Sequence, residues 1–152
     1  MVNWKFDGVL RQRAEGFKKK AHKKGNIIFF NFKLLAMSYR EQFIWKRGIQ
    51  LSVNCYKLTE HFPKSELYGL TSQIRRSAVS VPSNIAEGYG RKTKGEYVQF
   101  LHIALCSLRE LDTQLIIAKE VGLIEAKLFT PVMNEVEEMQ KIMVSTLNKL
   151  KT

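Results

Sequence analysis

The apolar phase of residues 67–85 runs straight through a proline, and this constrains the fold more than any other feature. Leu67, Leu70, Ile74, Ala78, Val81 and Ile85 step by three or four residues on both sides of Pro82. A loop has no reason to keep that phase, whereas one face of a helix requires it. The segment therefore reads as one long helix, about residues 66–88, with a proline kink. Proline removes a helical hydrogen bond and crowds the carbonyl of Ala78, at roughly 3 kcal/mol in a helix interior. The hydroxyls of neighbouring Ser80 and Ser83 are expected to satisfy part of the freed backbone.

Three further helical patterns flank this one. Ser38 followed by Glu41 has the spacing of a capping box, ahead of a row formed by Ile44, Gly48, Leu51, Cys55, Leu58 and Phe62. Pro63 in "HFPKSE" forces the turn that follows. Gly88 and Gly90 are candidate C-caps for the second helix. The third opens at another capping box, Thr93 to Glu96, and carries Tyr97, Leu101, Ala104, Leu108, Leu111, Leu115 and Ala118 on one seam. A second row, Val98, Leu105 and Ile116 with Ile103 and Ile117 beside it, makes this helix central or places it against another subunit. Gly122 stops it. The fourth row is Leu128, Val132, Val136, Met139, Met143, Leu147 and Leu150, with a start near Glu125 or Thr130 because of Pro131. Short connections favour antiparallel neighbours, so residues 37–152 are expected to form an all-α, up-down-up-down four-helix bundle.

Charge bears on partners. The 152 residues carry a net charge of +11, which favours polyanions such as nucleic acid. Residues 1–36 hold nine lysines and arginines against two acids, a net of +7; residues 37–152 hold sixteen against twelve, a net of +4. A nucleic-acid argument must therefore rest on local patches. The stretch "IIFFNF" is the one strand-like segment, and the basic lead before it is too long for a signal peptide. No run reaches the roughly 20 apolar residues of a membrane span. Cys55 and Cys106 lack CxxC spacing and read as reduced core thiols of a cytoplasmic protein.

Two constellations suit phosphate. Arg75 and Arg76 point off the apolar face of the second helix, where their planar guanidinium forks face either phosphate or acidic partners such as Glu110 on the third helix. The turn "GYGRKTKG" offers three glycines, the cations Arg91, Lys92 and Lys94, and the free amides expected at a helix start. It is not a P-loop, since GxxxxGK[ST] is absent. Asn84 and Ser107 read as small polar groups bonded across a helix interface. His102 and Cys106, four apart, read as a packed histidine beside a core thiol rather than a metal site. His22 falls in the basic extension and His61 in a turn. No catalytic motif, metal set or cofactor box is found, so no enzyme activity and no cofactor are expected.

"YGLTSQIRRSAVSVPSNIAEGYGR" followed by "EYVQFLHIALCSLRELDTQL" strongly resembles the four-helix-bundle proteins encoded in intervening sequences of bacterial 23S ribosomal RNA genes, sometimes labelled ribosomal-protein-like. It is also similar to the accessory protein of diversity-generating retroelements, which works beside a reverse transcriptase. The resemblance covers about residues 37–152. Its motif falls on Gln73, Arg75, Arg76, Ser80, Pro82, Asn84, Glu87, Gly88, Arg91, Ser107 and Glu110. It implies antiparallel bundles assembled into pentameric rings that bind nucleic acid without catalysis. In such a ring five copies of the basic turn would gather on one rim. Residues 1–36 depart from the family pattern, and read as an upstream reading of the gene or a disordered basic arm. The leading expectation is an oligomeric RNA- or DNA-binding bundle acting through Arg75, Arg76, Arg91, Lys92 and Lys94. The alternative is a helical scaffold for a protein partner such as a reverse transcriptase.

Overall fold

A computed structural model describes residues 38–151 of the chain. The extension before residue 37, with "IIFFNF" and His22, lies outside the described residues, as does Met37. Residues 38–41 belong to a unit separate from the bundle. There Tyr39–Glu41 is a single 3-10 turn. The expected capping box at Ser38 does not form. The Glu41 amide donates to the Ser38 carbonyl at 2.9 Å, and the tightness of this turn leaves the Ser38 hydroxyl to the amide of Arg40, at 3.3 Å.

Four α-helices make up the rest of the described chain: α1 (Phe43–Thr59), α2 (Leu70–Tyr89), α3 (Lys94–Glu120) and α4 (Ala126–Lys151). No strand occurs among the described residues. α2 packs on α1 and α3, and α4 packs on α3 and α1, which closes a four-helix bundle. Contacts that climb α1 descend α2: Gly48 meets Pro82, Ser52 meets Ala78, and Thr59 meets Arg75. The same reversal relates α2 to α3.

The apolar rows become the core. Every seam residue of α3 is buried, from Tyr97 to Ala118, and so are Val132, Val136, Met139, Met143, Leu147 and Leu150 on α4. Ile44, Leu51, Cys55 and Leu58 bury the matching face of α1. Leu67 breaks ranks at 51% exposed. The helix it was expected to open starts later, at Leu70, after a 3-10 turn at Lys64–Glu66 that carries Leu67 off the phase. Leu105 of the second α3 row is buried, while Ile103, Ile116 and Ile117 stay partly exposed.

Helix ends follow local chemistry at α3. Thr93 accepts from the Glu96 amide and the Glu96 carboxylate accepts from the Thr93 amide, a complete capping box. At the other end Gly122 takes φ +80°, a conformation that suits glycine. The Leu123 amide reaches the Ala118 carbonyl at 2.8 Å and Gly122 reaches Lys119 at 3.0 Å, the paired bonds of a Schellman motif. α4 begins near Glu125, leaving Pro131 inside the helix on its exposed side. α1 has no side-chain cap at Gln42, and α2 none at Gly69.

α2 continues unbroken from Leu70 to Tyr89 with Pro82 buried inside it. Pro82 has no amide for the carbonyl four residues back, which belongs to the fully buried Ala78. The replacement donor comes from another helix. The Ser52 hydroxyl of α1 lies 2.8 Å from the Ala78 carbonyl and 2.8 Å from its own Gly48 carbonyl. Ser80 and Ser83, expected to do this, are engaged elsewhere: Ser83 bonds the Val79 carbonyl and Ser80 pairs with Ser107. A side chain from the neighbouring helix reaches the orphan because Gly48 leaves room for the proline ring. A Cβ there would sit 3.3 Å from the Pro82 Cβ.

Ser52→Ala should therefore strand the Ala78 carbonyl and cost about 1–3 kcal/mol in urea unfolding. In a Pro82→Ala background an alanine amide supplies the bond, and the same Ser52 change should cost clearly less. Equal costs in both backgrounds would show that Ser52 does not serve this carbonyl.

Candidate nucleic-acid interface

The motif residues come together along the α2–α3 contact. Arg76 bridges Glu110 at 2.5 Å and also bonds Gln73 at 3.0 Å. The Glu110 carboxylate accepts from Gln114 at 3.1 Å, and Gln114 accepts from Ser77 at 2.6 Å. Further along, Ser80 and Ser107 pair at 2.9 Å, and the Asn84 amide donates to both the carbonyl and the hydroxyl of Ser80. Two hydrogen-bonded clusters thus form a polar seam between the two helices beside their apolar contact. Such a network fixes register because each member would be costly to leave unpaired. Ser77 and Gln114 belong to it although neither stands out in the sequence; the usable signal is their position one turn from Gln73 and Glu110.

Gly88 is not a C-cap. It lies within α2 and is buried, and Gly90 is the capping residue. A Cβ on Gly88 would fall 2.6 Å from the Phe100 Cβ and 3.2 Å from the Tyr97 ring. The absent side chain lets α2 and α3 touch at the end of the bundle that carries the basic turn.

In that turn the three cations differ. Arg91 pairs with Glu87 one helical turn back and lies 4.4 Å over the Phe100 ring. Lys92 and Lys94 are exposed, and no carboxylate among the described residues pairs with either. At the start of α3 the Thr93 hydroxyl takes the Glu96 amide. The Glu96 carboxylate takes the Thr93 amide, and the hydrogen bond from the Thr93 side chain holds it below the usual glutamate range.

Arg75 sits on the other side of α2, away from Glu110. Its Nε donates to the Thr59 hydroxyl at 2.8 Å, and its guanidinium lies 4.6 Å over the Tyr56 ring. The two thiols separate as well. Cys55 is buried, and burial together with the Glu135 carboxylate pushes it up to about 12, far from a reactive thiolate. Cys106 is exposed, and so is His102, contrary to a packed pair. Both lie between the buried positions 101, 104, 105 and 108, on the outward side of α3. No group of three or more metal-ligating side chains occurs among the described residues, and none of their helices is long and apolar enough to cross a membrane.

These features define a class: a compact helical bundle with a polar seam between its second and third helices and a cationic turn where they meet. A family model described as "23S rRNA-intervening sequence protein" matches residues 40–145, and the chain belongs to that family. No curated protein matches the chain. Among solved structures, it is similar to a protein of unknown function from the S23 ribosomal protein family of Bacteroides thetaiotaomicron. The two superpose with a TM-score of 0.62 at 20% identity, over 68% of this chain and 97% of that one, which shows a shared fold.

Gly88→Ala tests the close approach of α2 and α3. Alanine improves helix propensity by about 1 kcal/mol, but the clash with a Cβ cannot be relieved by a side-chain rotation. A net loss of about 1–2 kcal/mol is expected from overpacking. Gly95→Ala, which meets only the Thr93 hydroxyl at 4.0 Å, should instead be neutral or stabilising by up to about 1 kcal/mol. Thermal unfolding of the two variants checks both signs.

Proposed function

We propose that this chain is a non-catalytic, homo-oligomeric bundle that binds RNA or DNA through phosphate contacts. The observation that carries the reading is the α2–α3 turn, where Lys92 and Lys94 are exposed without acidic partners beside the paired Arg91. Assembly into a ring, a pentamer by the family resemblance, would set several such turns on one rim and multiply a weak local charge. The partly exposed Ile103, Ile116 and Ile117 on α3 supply apolar surface for subunit contact. A bend imposed on α2 by Pro82 would shape that contact. Arg76, tied to Glu110 and Gln73, contributes more to the seam than to a ligand. A cytoplasmic location suits a nucleic-acid partner.

A second reading uses the same apolar side chains differently, as the docking face of a scaffold for a protein partner such as a reverse transcriptase. Ionic strength separates the two. Binding to a labelled RNA or DNA duplex should weaken steeply with salt, and an apolar protein contact should not.

Replacing Arg91, Lys92 and Lys94 together by alanine should weaken RNA and DNA binding alike. The log–log salt slope should fall by roughly 0.7–0.9 for each phosphate that is no longer neutralised. Helicity and oligomer size should be unchanged, as circular dichroism and light scattering would show. Parent-like affinity at every salt concentration would move the scaffold reading ahead. We also take residues 37–152 to be the folding unit, with residues 1–36 dispensable to it. A chain starting at Met37 should keep its helicity and assembly in the same two measurements.

A further inference from the structure

A groove of about 530 Å³ runs along α2, lined by Tyr56 of α1, by Leu67, and by Ser72, Arg75, Arg76 and Ser80 of α2, so that it borders the polar seam with α3. Arg75 is its centre. The Thr59 hydroxyl takes Nε, and the Tyr56 ring supports one face of the guanidinium. Thr59 is itself 3% exposed, so the anchor is part of the core. Arg47, Arg76 and Arg91 each pair with a glutamate. Arg75, in contrast, has no carboxylate partner among the described residues. The nearby Glu66 carboxylate is spent on the Leu70 amide, 2.9 Å away. Arg75 is thus held in a fixed plane with its outer N–H groups unclaimed, the state in which the arginine fork suits a phosphate.

Next to Leu67, which lines the groove, stands Tyr68, and it is 91% exposed. It is the most exposed of the large hydrophobic side chains described. An exposed tyrosine on the segment that leads into α2 and an oriented arginine on α2 itself are the parts of a single-strand site: a base stacks on the ring and a phosphate of the same strand meets the guanidinium. A base in a duplex is stacked on both faces and cannot use the ring.

We infer that the α1–α2 groove holds a single-stranded segment of nucleic acid, with a base stacked on Tyr68 and a phosphate held by Arg75. This rests on the nucleic-acid reading above and adds a preference for unpaired over paired strands. The basic turn then serves either form through charge alone, and the groove distinguishes them.

The test uses the full chain with two fluorescent probes, a 12-nucleotide oligouridylate and a 12-base-pair RNA duplex, in anisotropy titrations across a salt series. Tyr68→Ala should weaken oligouridylate binding roughly tenfold, with its salt slope and the duplex affinity unchanged. Tyr68→Phe should restore binding, because the ring and not the hydroxyl is used. Arg75→Lys keeps the charge but loses the fork, and should weaken the single strand more than the duplex. Since Tyr68 is exposed, its variants should melt with the parent, so a loss of binding is not a loss of fold. Parent-like oligouridylate binding by both Tyr68→Ala and Arg75→Lys would overturn the groove assignment while leaving the basic turn in place. Failure of the parent chain to bind either probe at low salt would overturn the nucleic-acid reading and this inference together.

Discussion

The Ala78 carbonyl is the point on which the bundle turns. Pro82 makes it an orphan in the middle of α2, and a buried carbonyl without a donor is not tolerated at low cost. The Ser52 hydroxyl resolves this from α1, and Gly48 clears the space that brings the two helices close enough. Three residue choices on two helices are therefore one device. Serine in place of an aliphatic residue at 52 and glycine in place of a side chain at 48 are both poor choices for a lone helix, and both are required by the proline.

A second network does for α2 and α3 what Ser52 does for α1 and α2. The seam from Gln73 to Asn84 spends the polar groups of the signature on one another, so that Arg76, Glu110, Ser80 and Ser107 hold register. That expenditure sorts the basic residues by availability. Arg76 and Arg91 are committed to glutamates, Arg75 is anchored but open on its outer edge, and Lys92 and Lys94 carry charge with no internal duty.

Helical periodicity made the four helices and their buried faces legible from the residues alone. The α3 seam shows why: long helices with one apolar stripe leave little choice of which side to bury. Local end signals were read with mixed success. Thr93–Glu96 caps α3 as its spacing indicates, but the same spacing at Ser38–Glu41 falls in a 3-10 turn and caps nothing. A capping box needs a helix that begins at its serine, and residue spacing alone does not report where a helix begins. Cys106 and His102 were misplaced because polarity says little about an i, i+4 pair flanked by apolar positions. Ser52 was missed for a different reason: its partner is 26 residues away in sequence, and only the missing amide of Pro82 hints that a donor must come from somewhere.

The ends of α3 carry a consequence for how the chain folds. α3 is closed at its start by the Thr93–Glu96 box and at its finish by the Gly122 Schellman turn, both made from residues within a few positions of each end. α1 lacks a side-chain cap, and the middle of α2 lacks a hydrogen bond until α1 arrives. Nucleating a helix is the slow and unfavourable step, and local caps reduce its difficulty. α3 is thus the element equipped to persist on its own in a mostly unfolded chain. α1 and α2 gain their full set of backbone partners only together, so the order of one is coupled to the order of the other.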